Sequence, residues 1–309
     1  MDAVERFEAS RTRLASLAYR LLGSAADAED VVQDAFLRWH AADRDRIDVP
    51  EAWLTKVTTN LALDRLRSAQ SRRERAVGSW LPEPLLDGDP LLGPLDTVEQ
   101  RESVTIAVLL LLERVPPVER AVYILREAFS HSHKEIARIL DITESASQQY
   151  ALRARRRVRA ERRTEVDRAA AREIVEAFVS AAASGRTDRL VALLTDDATG
   201  LSDGAGLSAT LMSHTGAAQL ARVMRGGFKP TPAKRRLAGG SPSIHAAIVN
   251  TTPALIAALG DRVVGTILFT THHGLITNAT SIATPTRLTR LTKTWQTTPH
   301  ENPPIIAEW

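Results

Sequence analysis

The sequence contains no cysteine. That removes disulfides and thiolate metal sites from consideration and fits a reducing compartment. It also lacks a long hydrophobic run. The longest apolar stretch, residues 106–112, falls far short of the roughly 18 residues that cross a bilayer. The opening MDAVERFEASR has no apolar core of the kind found in secretory leaders. Neither a membrane span nor a leader is expected, and the expected location is the cytoplasm. Net charge is small as well, +3 from 40 Lys+Arg and 37 Asp+Glu. With 44% hydrophobic and 25% charged residues the composition is that of a globular chain. Its 309 residues suffice for two or three domains.

The small net charge conceals patches. Residues 164–309 hold 14 Lys+Arg and 11 Asp+Glu, which leaves 26 of each in residues 1–163. Positive clusters in that first half are therefore balanced by acidic ones elsewhere in it. Such an arrangement suits two partners on one module, one polyanionic and one basic.

The strongest positive feature lies at 131–163, HSHKEIARILDITESASQQYALRARRRVRAERR. Ile136, Ala137 and Leu140 share a helical face, Asp141-Ile142 forms a turn, and Thr143 is placed to cap a second helix. Glu144, Ser145, Ser147, Gln148 and Gln149 stand at the start of that helix, the end that enters a major groove in helix-turn-helix proteins. Residues 151–163 then carry seven Arg, among them Arg153, Arg156 and Arg157, against one Glu. This density suits phosphate contact.

Upstream, Leu14, Leu17, Ala18, Leu21 and Leu22 mark a helix that breaks at Gly23-Ser24. The next helix, DAEDVVQDAFLRWH, stripes Val31, Val32, Ala35, Phe36 and Trp39 on one side and gathers Asp27, Glu29, Asp30 and Asp34 near its start. Acidic residues there suit the helix dipole, and a basic protein partner is the competing explanation. After Pro50 a third helix places Trp53, Leu54, Val57 and Leu61 on one face. It ends in Arg65, Arg67, Arg72, Arg73 and Arg75, with Asn60 and Asp64 one turn apart.

Residues 76–99 contain four prolines and three glycines and are read as a linker. Trp80, Leu81, Leu85, Leu86, Leu91 and Leu92 make it apolar, so it is expected to dock. Helical pattern resumes over 100–128, interrupted at Pro116-Pro117. Beyond 164 the texture changes. A helix over 165–183 with Ile174, Val175, Phe178 and Val179 inward precedes a short one at 188–194. Strands are predicted near 198–202, 243–249, 263–271 and 274–283, with a hairpin turn at His272-His273-Gly274. Helices followed by a curved sheet predict an α+β domain. Residues 292–309 are read as a flexible tail.

Four ordered motifs carry a resemblance: DAEDVVQDAFLRW, WLTKVTTNLALDRLRS, LERVPPVERAVYILRE and the helix-turn-helix. Together they resemble the extracytoplasmic-function group of the sigma-70 family, over roughly residues 5–75 and 100–160. The resemblance implies that Asp27, Asp30, Gln33, Asp34 and Phe36 dock on the clamp helices of core RNA polymerase. It implies that Asn60, Arg65, Arg67, Arg72 and Arg73 hold an opened −10 element. Thr143, Ser145, Ser147, Gln148 and Gln149, with Arg153, Arg156 and Arg157, fall where the family meets the −35 duplex. Asp141 stands where a turn glycine is usual, a position an aspartate tolerates in left-handed conformation. Ser147 and Gln148 stand where valine and a basic residue are common.

Some members of this group carry a fused SnoaL-like domain, a cone-shaped α+β fold, and share a WLPEP linker motif, here Trp80-Leu81-Pro82-Glu83-Pro84. Their DGGGK and NPDKL motifs read here as Asp203-Gly204-Ala205-Gly206-Leu207 and Thr284-Pro285-Thr286-Arg287-Leu288. Trp80, Pro82, Glu83, Pro84, Asp203, Gly204, Gly206 and Pro285 are the expected regulatory contacts.

The expected organisation is two all-α domains followed by the α+β domain: 1–75, a linker 76–99, 100–163, 164–291 and a tail 292–309. The expected function is a sigma factor regulated in cis, bound to core polymerase and promoter DNA, with no cofactor, no metal and no separate anti-sigma protein required. A ligand of the third domain is left open. A one-component DNA-binding regulator that senses a small molecule is the alternative. An enzyme would need an acid–base pair from Asp196, Asp197, Asp203, His214, His245, His272 or His273, and none pairs convincingly in sequence. Asp196-Asp197 is expected to end a helix.

Overall fold

The computed structural model describes residues 2–73, 80–158, 168–206, 211–299 and 303–309; the side chains of 69–73, 168 and 206 fall outside that description. The chain divides into two compact units, Met1–Ala76 with Gly88–Arg162, and Val77–Asp87 with Arg163–Trp309.

The first unit begins with three helices, α1 (Ala3–Leu22), α2 (Ala25–Ala41) and α3 (Pro50–Arg73). Gly23 closes α1 in the left-handed conformation, and Ser24 immediately caps α2 by accepting from Asp27 N. Phe7, Leu14, Leu17, Leu21, Val31, Val32 and Trp39 fill the space between them. Trp39 satisfies its indole N–H on Ala3 O at 2.7 Å. The inward stripe of α3 differs from the expected one. It runs Leu54, Thr58, Ala62, Leu66, flanked by Thr55, Thr59 and Leu63. Trp53, Val57 and Leu61 are half-buried. Thr55 and Thr59 are admitted because they return their hydroxyls to carbonyls one turn back, each at 2.7 Å, leaving methyl groups to pack, whereas Thr58 Oγ1 is buried with no hydrogen-bond partner among the described residues.

The chain re-enters this unit at Gly88. Leu91 and Leu92 are buried in a 3-10 turn at Pro90–Leu92. Gly93, at φ +64°, lies so close to Ser16 that no Cβ would fit. Short helices α4 (Val98–Glu102) and α5 (Ile106–Glu113) precede α6 (Pro117–Glu127), α7 (His133–Leu140) and α8 (Glu144–Val158). Two buried arginines stitch the halves together. Arg20 donates to Ser103 Oγ at 2.9 Å, Pro94 O at 3.0 Å and Ser16 Oγ. Arg120 donates to Leu21 O at 2.7 Å and pairs with Glu113 at 2.8 Å. Burial pulls their pKa values down to about 9 and about 10 respectively.

The second unit holds α9 (Arg168–Ala183), α10 (Thr187–Val191), β1 (Leu194–Ser202), β2 (Met212–Thr215), α11 (Ala217–Phe228), α12 (Pro232–Ala238), β3 (Ser243–Val249), β4 (Thr252–Leu259), β5 (Arg262–His272), β6 (Leu275–Ile282) and α13 (Thr289–Thr297). The strands form one six-stranded sheet in the order β2-β1-β6-β5-β4-β3. Among the described strands only β1 and β6 pair in parallel. Phe178 of α9 packs on Phe269 at 4.7 Å and Phe228 at 6.0 Å between ring centroids, at the centre of the helix–sheet core. This is the α+β cone anticipated for the third domain. The His273-Gly274 turn has positive φ at both residues (49° and 78°), the geometry of a two-residue hairpin.

Several expectations are corrected. Residues 252–259 form a strand, although Pro253 and a run of alanines disguise it. Asp196-Asp197 lie exposed within β1 rather than at a helix end. The linker 76–99 is not one segment: the part up to Asp87 belongs with the second unit and the part from Gly88 with the first. The described residues 292–299 and 303–309 are not a flexible tail; the expected tail's residues 300–302 lie outside the description. Leu291 and Trp295 bury α13, and Ile305 and Ile306 hydrogen-bond with Ile244 of edge strand β3 at 2.7 and 2.8 Å. Trp309 donates its indole N–H to Phe228 O at 2.6 Å.

Candidate polymerase- and promoter-binding surfaces

The exposed side of α2 presents Asp27, Asp30 and Gln33, with Asp34 and Phe36 half-buried. Phe36 rests edge-on against Phe7 at 5.0 Å, which fixes the helix on α1. Leu37 interrupts this polar face at 56% exposure. It follows Gln33 by four residues and Asp34 by three, so it shares their stripe. That spacing was the available sequence signal for a residue the motif reading missed.

Arg65 of α3 reaches the same face. Its guanidinium pairs with Asp27 and Asp30, each at 3.1 Å, and with Asp34 at 3.5 Å. Desolvation pulls its pKa down, but the pairs with Asp30 and Asp27 outweigh it and hold the value above the ordinary one. Two groups assigned in sequence to different partners therefore meet in the folded chain. Asn60, one turn before Asp64, is half-buried, and its side-chain amide makes no hydrogen bond among the described residues. Arg67 pairs with Asp64 at 3.2 Å on the surface. Arg72 and Arg73 fall in the last turn of α3, and their side chains lie outside the described residues.

The helix-turn-helix is α7 and α8. Ser132 caps α7 in a reciprocal box with Glu135. Thr143 caps α8, accepting from Ala146 N at 3.1 Å. Asp141 takes the left-handed conformation at φ 52°, ψ 47°. Its carboxylate accepts from Lys56 of α3 at 2.7 Å, and the same ammonium donates to Arg138 O at 3.1 Å. A glycine at this turn would offer no such tie.

Ser145, Gln148 and Gln149 are exposed on the first turns of α8. Ser147 is not: it is fully buried, and its hydroxyl meets His133 Nδ1 at 2.9 Å. Its place on the −35 surface is withdrawn, because one residue of helical rotation separates it from the readable face. Arg153 and Arg157 both pair with Glu119, at 3.0 and 2.8 Å, and Arg155 pairs with Glu127 at 2.7 Å. Arg156 is exposed and has no ion pair among the described residues.

In the second unit the two altered motifs come together. Asp203, 1% exposed, accepts from Ala283 N and Thr284 N at 3.0 Å each and from Ala205 N at 3.1 Å. Arg287 approaches its carboxylate at 3.5 Å. The carboxylate points inward, so Asp203 does not serve as a surface contact. Gly204 and Ala205 follow it at φ 61° and 57°. A glycine suits position 205 for that reason, and here an alanine bears the left-handed conformation. Pro285 begins the 3-10 turn at Pro285–Arg287, directly after the two N–H groups that Asp203 accepts.

The connector is fixed on the same unit. Leu85 N donates to Asn250 Oδ1 at 2.7 Å, Asn250 N to Leu85 O at 2.8 Å and Asp87 N to Ile248 O at 2.9 Å. Asn250 and Thr251 form the β3–β4 turn at φ 50° and 58°. The β-branched Thr251 is strained there, and the connector bonds the tip from outside. Pro82 and Pro84 are buried, and Trp80 and Glu83 half-buried.

None of the histidine and aspartate candidates forms a catalytic constellation. His272 and His273 sit at a hairpin, and His245 bonds Ser243 Oγ at 2.8 Å. Among the described residues no group of three His, Asp or Glu is placed to hold a metal ion. No described helix is long and apolar enough to cross a membrane.

An acidic helix, a basic helix and a helix-turn-helix in this order on one chain are the arrangement of a transcription initiation factor of the sigma type. Residues 6–72 match the model of sigma-70 region 2 and residues 105–158 that of sigma-70 region 4. The chain is 42% identical over 210 residues to the ECF RNA polymerase sigma factor SigJ of Mycobacterium tuberculosis, a match spanning 67% of each chain. It is 37% identical over 194 residues to the probable ECF RNA polymerase sigma factor SigI of the same species, spanning 61% of this chain and 65% of that relative. The crystal structure of M. tuberculosis SigJ superimposes with a TM-score of 0.69 at 31% identity, over 93% of this chain and 98% of that one. The chain belongs to the extracytoplasmic-function sigma factors of the sigma-70 family. It binds core RNA polymerase and promoter DNA, directs transcription initiation, and is not an enzyme.

Proposed function

We propose that the third domain regulates this sigma factor in cis by holding the connector between regions 2 and 4. The observation that carries the reading is the three-bond attachment of Leu85 and Asp87 to the β3–β4 hairpin. Geometry supports a need for such control. A compact unit of some 150 residues is about 40 Å across, whereas promoter elements centred near −35 and −10 lie about 85 Å apart along B-DNA. Regions 2 and 4 must therefore separate to engage both. Lys56–Asp141 and Arg120–Leu21 are among the contacts that separation breaks.

In this reading Asp27, Asp30, Gln33, Asp34 and Phe36, joined by Leu37, face core polymerase. Asn60, Arg65 and Arg67 hold the opened −10 strand. Ser145, Gln148 and Gln149 read the −35 duplex, Thr143 positions them, and Arg153, Arg156 and Arg157 meet phosphate. Core binding would compete Arg65 away from Asp27, Asp30 and Asp34, delivering a cation to DNA only after polymerase is engaged. The polymerase partner places the protein in the cytoplasm. With its regulator fused, no separate anti-sigma protein is required, and a small molecule in the third domain could bias the equilibrium if it favours one arrangement. No observation favours a stand-alone DNA-binding regulator.

Run-off transcription with core polymerase tests the proposal, comparing the full chain, a form ending at residue 163 and Asn250→Ala, which removes the acceptor of Leu85 N. Both altered forms are expected to shift promoter-dependent output in the same direction. Equal output from all three, with Asn250→Ala still folded, sinks it.

A further inference from the structure

The concave side of the third domain's sheet encloses a cavity of about 710 Å³, within the range of about 300–1,000 Å³ that small-molecule sites occupy. Leu220, Met224, Phe228, Leu255, Ile267 and Leu288 are among its walls. Met212, Val223 and Leu237 also line it, and they are exposed at 43%, 42% and 59%. A soluble surface rarely leaves three large apolar side chains together at the rim of an apolar cavity unless something apolar enters there.

The charge around this cavity is one-sided. No Asp or Glu occurs between Asp203 and Asp261, a stretch that supplies β2, α11, α12, β3 and β4. It carries Arg222, Arg225, Lys229, Lys234, Arg235 and Arg236; none of the six pairs with an Asp or Glu among the described residues, and Arg235 donates to Trp309 O at 3.2 Å. No lining residue is acidic, while Lys234 and Arg262 line the cavity. Lys234 donates to Gly227 O at 2.8 Å, Lys229 O at 2.9 Å and Gly226 O, which uses its three N–H groups, so it offers the cavity positive charge and no free donor. Arg262 is exposed, gives one bond to Ala238 O at 3.0 Å, and has no acidic partner among the described residues. His214 lines the cavity too, with Nδ1 buried and without a hydrogen-bond partner among the described residues.

We propose that this cavity binds a lipophilic anion, with the hydrocarbon body among the apolar walls and the acid head at Arg262. Its consequence for transcription rests on the cis-regulation reading above; its binding does not. Ile244 and Leu255 line the cavity from β3 and β4, whose connecting turn holds Leu85 of the connector. Occupancy is thereby placed on the two strands that carry the attachment.

Calorimetric titration of the full chain with sodium decanoate, 1-decanol and sodium acetate separates the contributions. Decanoate is expected to bind at least about tenfold tighter than decanol, and acetate not at all. Arg262→Glu should weaken decanoate about fivefold or more and leave decanol unchanged. Ala257→Trp, which fills a lining position, should weaken both alkyl probes at least about tenfold. A thermal melt confirms that each variant is folded. Equal affinity for decanol and decanoate overturns the anionic site. Decanoate binding unaffected by Ala257→Trp, or no binding of any probe, overturns the cavity as the locus. These outcomes are independent of the run-off comparison. Saturable decanoate binding that leaves run-off output unchanged would refute the coupling alone.

Discussion

Replacing Asp203 by alanine should destabilise the third domain by several kcal/mol. The carboxylate is 1% exposed and is the acceptor for three backbone N–H groups, those of Ala205, Ala283 and Thr284. Each buried donor left without an acceptor costs roughly 1–3 kcal/mol. Part of that is recovered where water enters beside the half-buried Ala205, so a net loss of about 3–5 kcal/mol is expected. For a domain of this size each kcal/mol lowers Tm by roughly 2–4 °C, which gives a fall of about 10 °C. Asp203→Asn keeps one oxygen acceptor and turns an NH2 group toward a backbone donor, so its loss should be about half as large. Differential scanning calorimetry of the full chain resolves both shifts. The same variants in run-off transcription should track the stability loss, Asn between wild type and Ala. A Tm for Asp203→Ala within about 1 °C of wild type would refute the structural role assigned to the carboxylate.

Asp30→Arg should weaken core polymerase binding by tenfold or more, since it inverts charge at the docking face and repels Arg65; a titration against core with unchanged affinity refutes the assignment. Gln148→Ala with Gln149→Ala should alter −35 preference in a promoter selection, whereas Ser147→Ala should change stability and leave the selected sequence intact. A short bismaleimide bridge between Lys56→Cys and Asp141→Cys, in a chain with no other cysteine, should abolish run-off transcription relative to the unbridged protein. Acidification should destabilise the first unit. Desolvation and the neighbouring Arg13 lower the pKa of His131, with Glu135 acting against them, and desolvation with Arg126 and Arg155 lowers that of His133. The unfolded chain then binds more protons just below pH 6.5, so this contribution is complete above that value and declines as pH falls through the folded pKa values. A flat urea midpoint between pH 7 and 5.5 would refute it.

Much of the first unit was legible because its signals are local. A capping serine after a left-handed glycine, an acidic first turn and a proline-led helix each specify themselves within a few residues. The inward threonines of α3 were not legible, since a hydroxyl reads as polar until its bond to the preceding turn is seen. Ser147 failed for a related reason: a serine on a recognition helix looks readable until rotation places it against His133. In the third domain, β4 was hidden by Pro253 and alanines, and its strand character comes from its neighbours on both sides. The meeting of Asp203 with residues 283–287 and the capture of Leu85 by Asn250 join positions about 80 and 165 apart. No local pattern encodes such contacts.

That last separation has a consequence for how the protein is made. At ribosomal rates of roughly 5–20 residues per second, about 10–30 s pass between the synthesis of Leu85 and that of Asn250. Both sigma regions are complete when residue 158 has emerged, well before edge strand β3 exists to receive the connector. Each nascent chain therefore carries both DNA-binding regions for a time with its connector unattached, until the β3–β4 hairpin closes. Chains released early by a stalled ribosome would keep the first state permanently. If the connector attachment regulates the factor as proposed, control is a property of finished molecules, and slow or interrupted synthesis would raise the fraction whose connector is unattached.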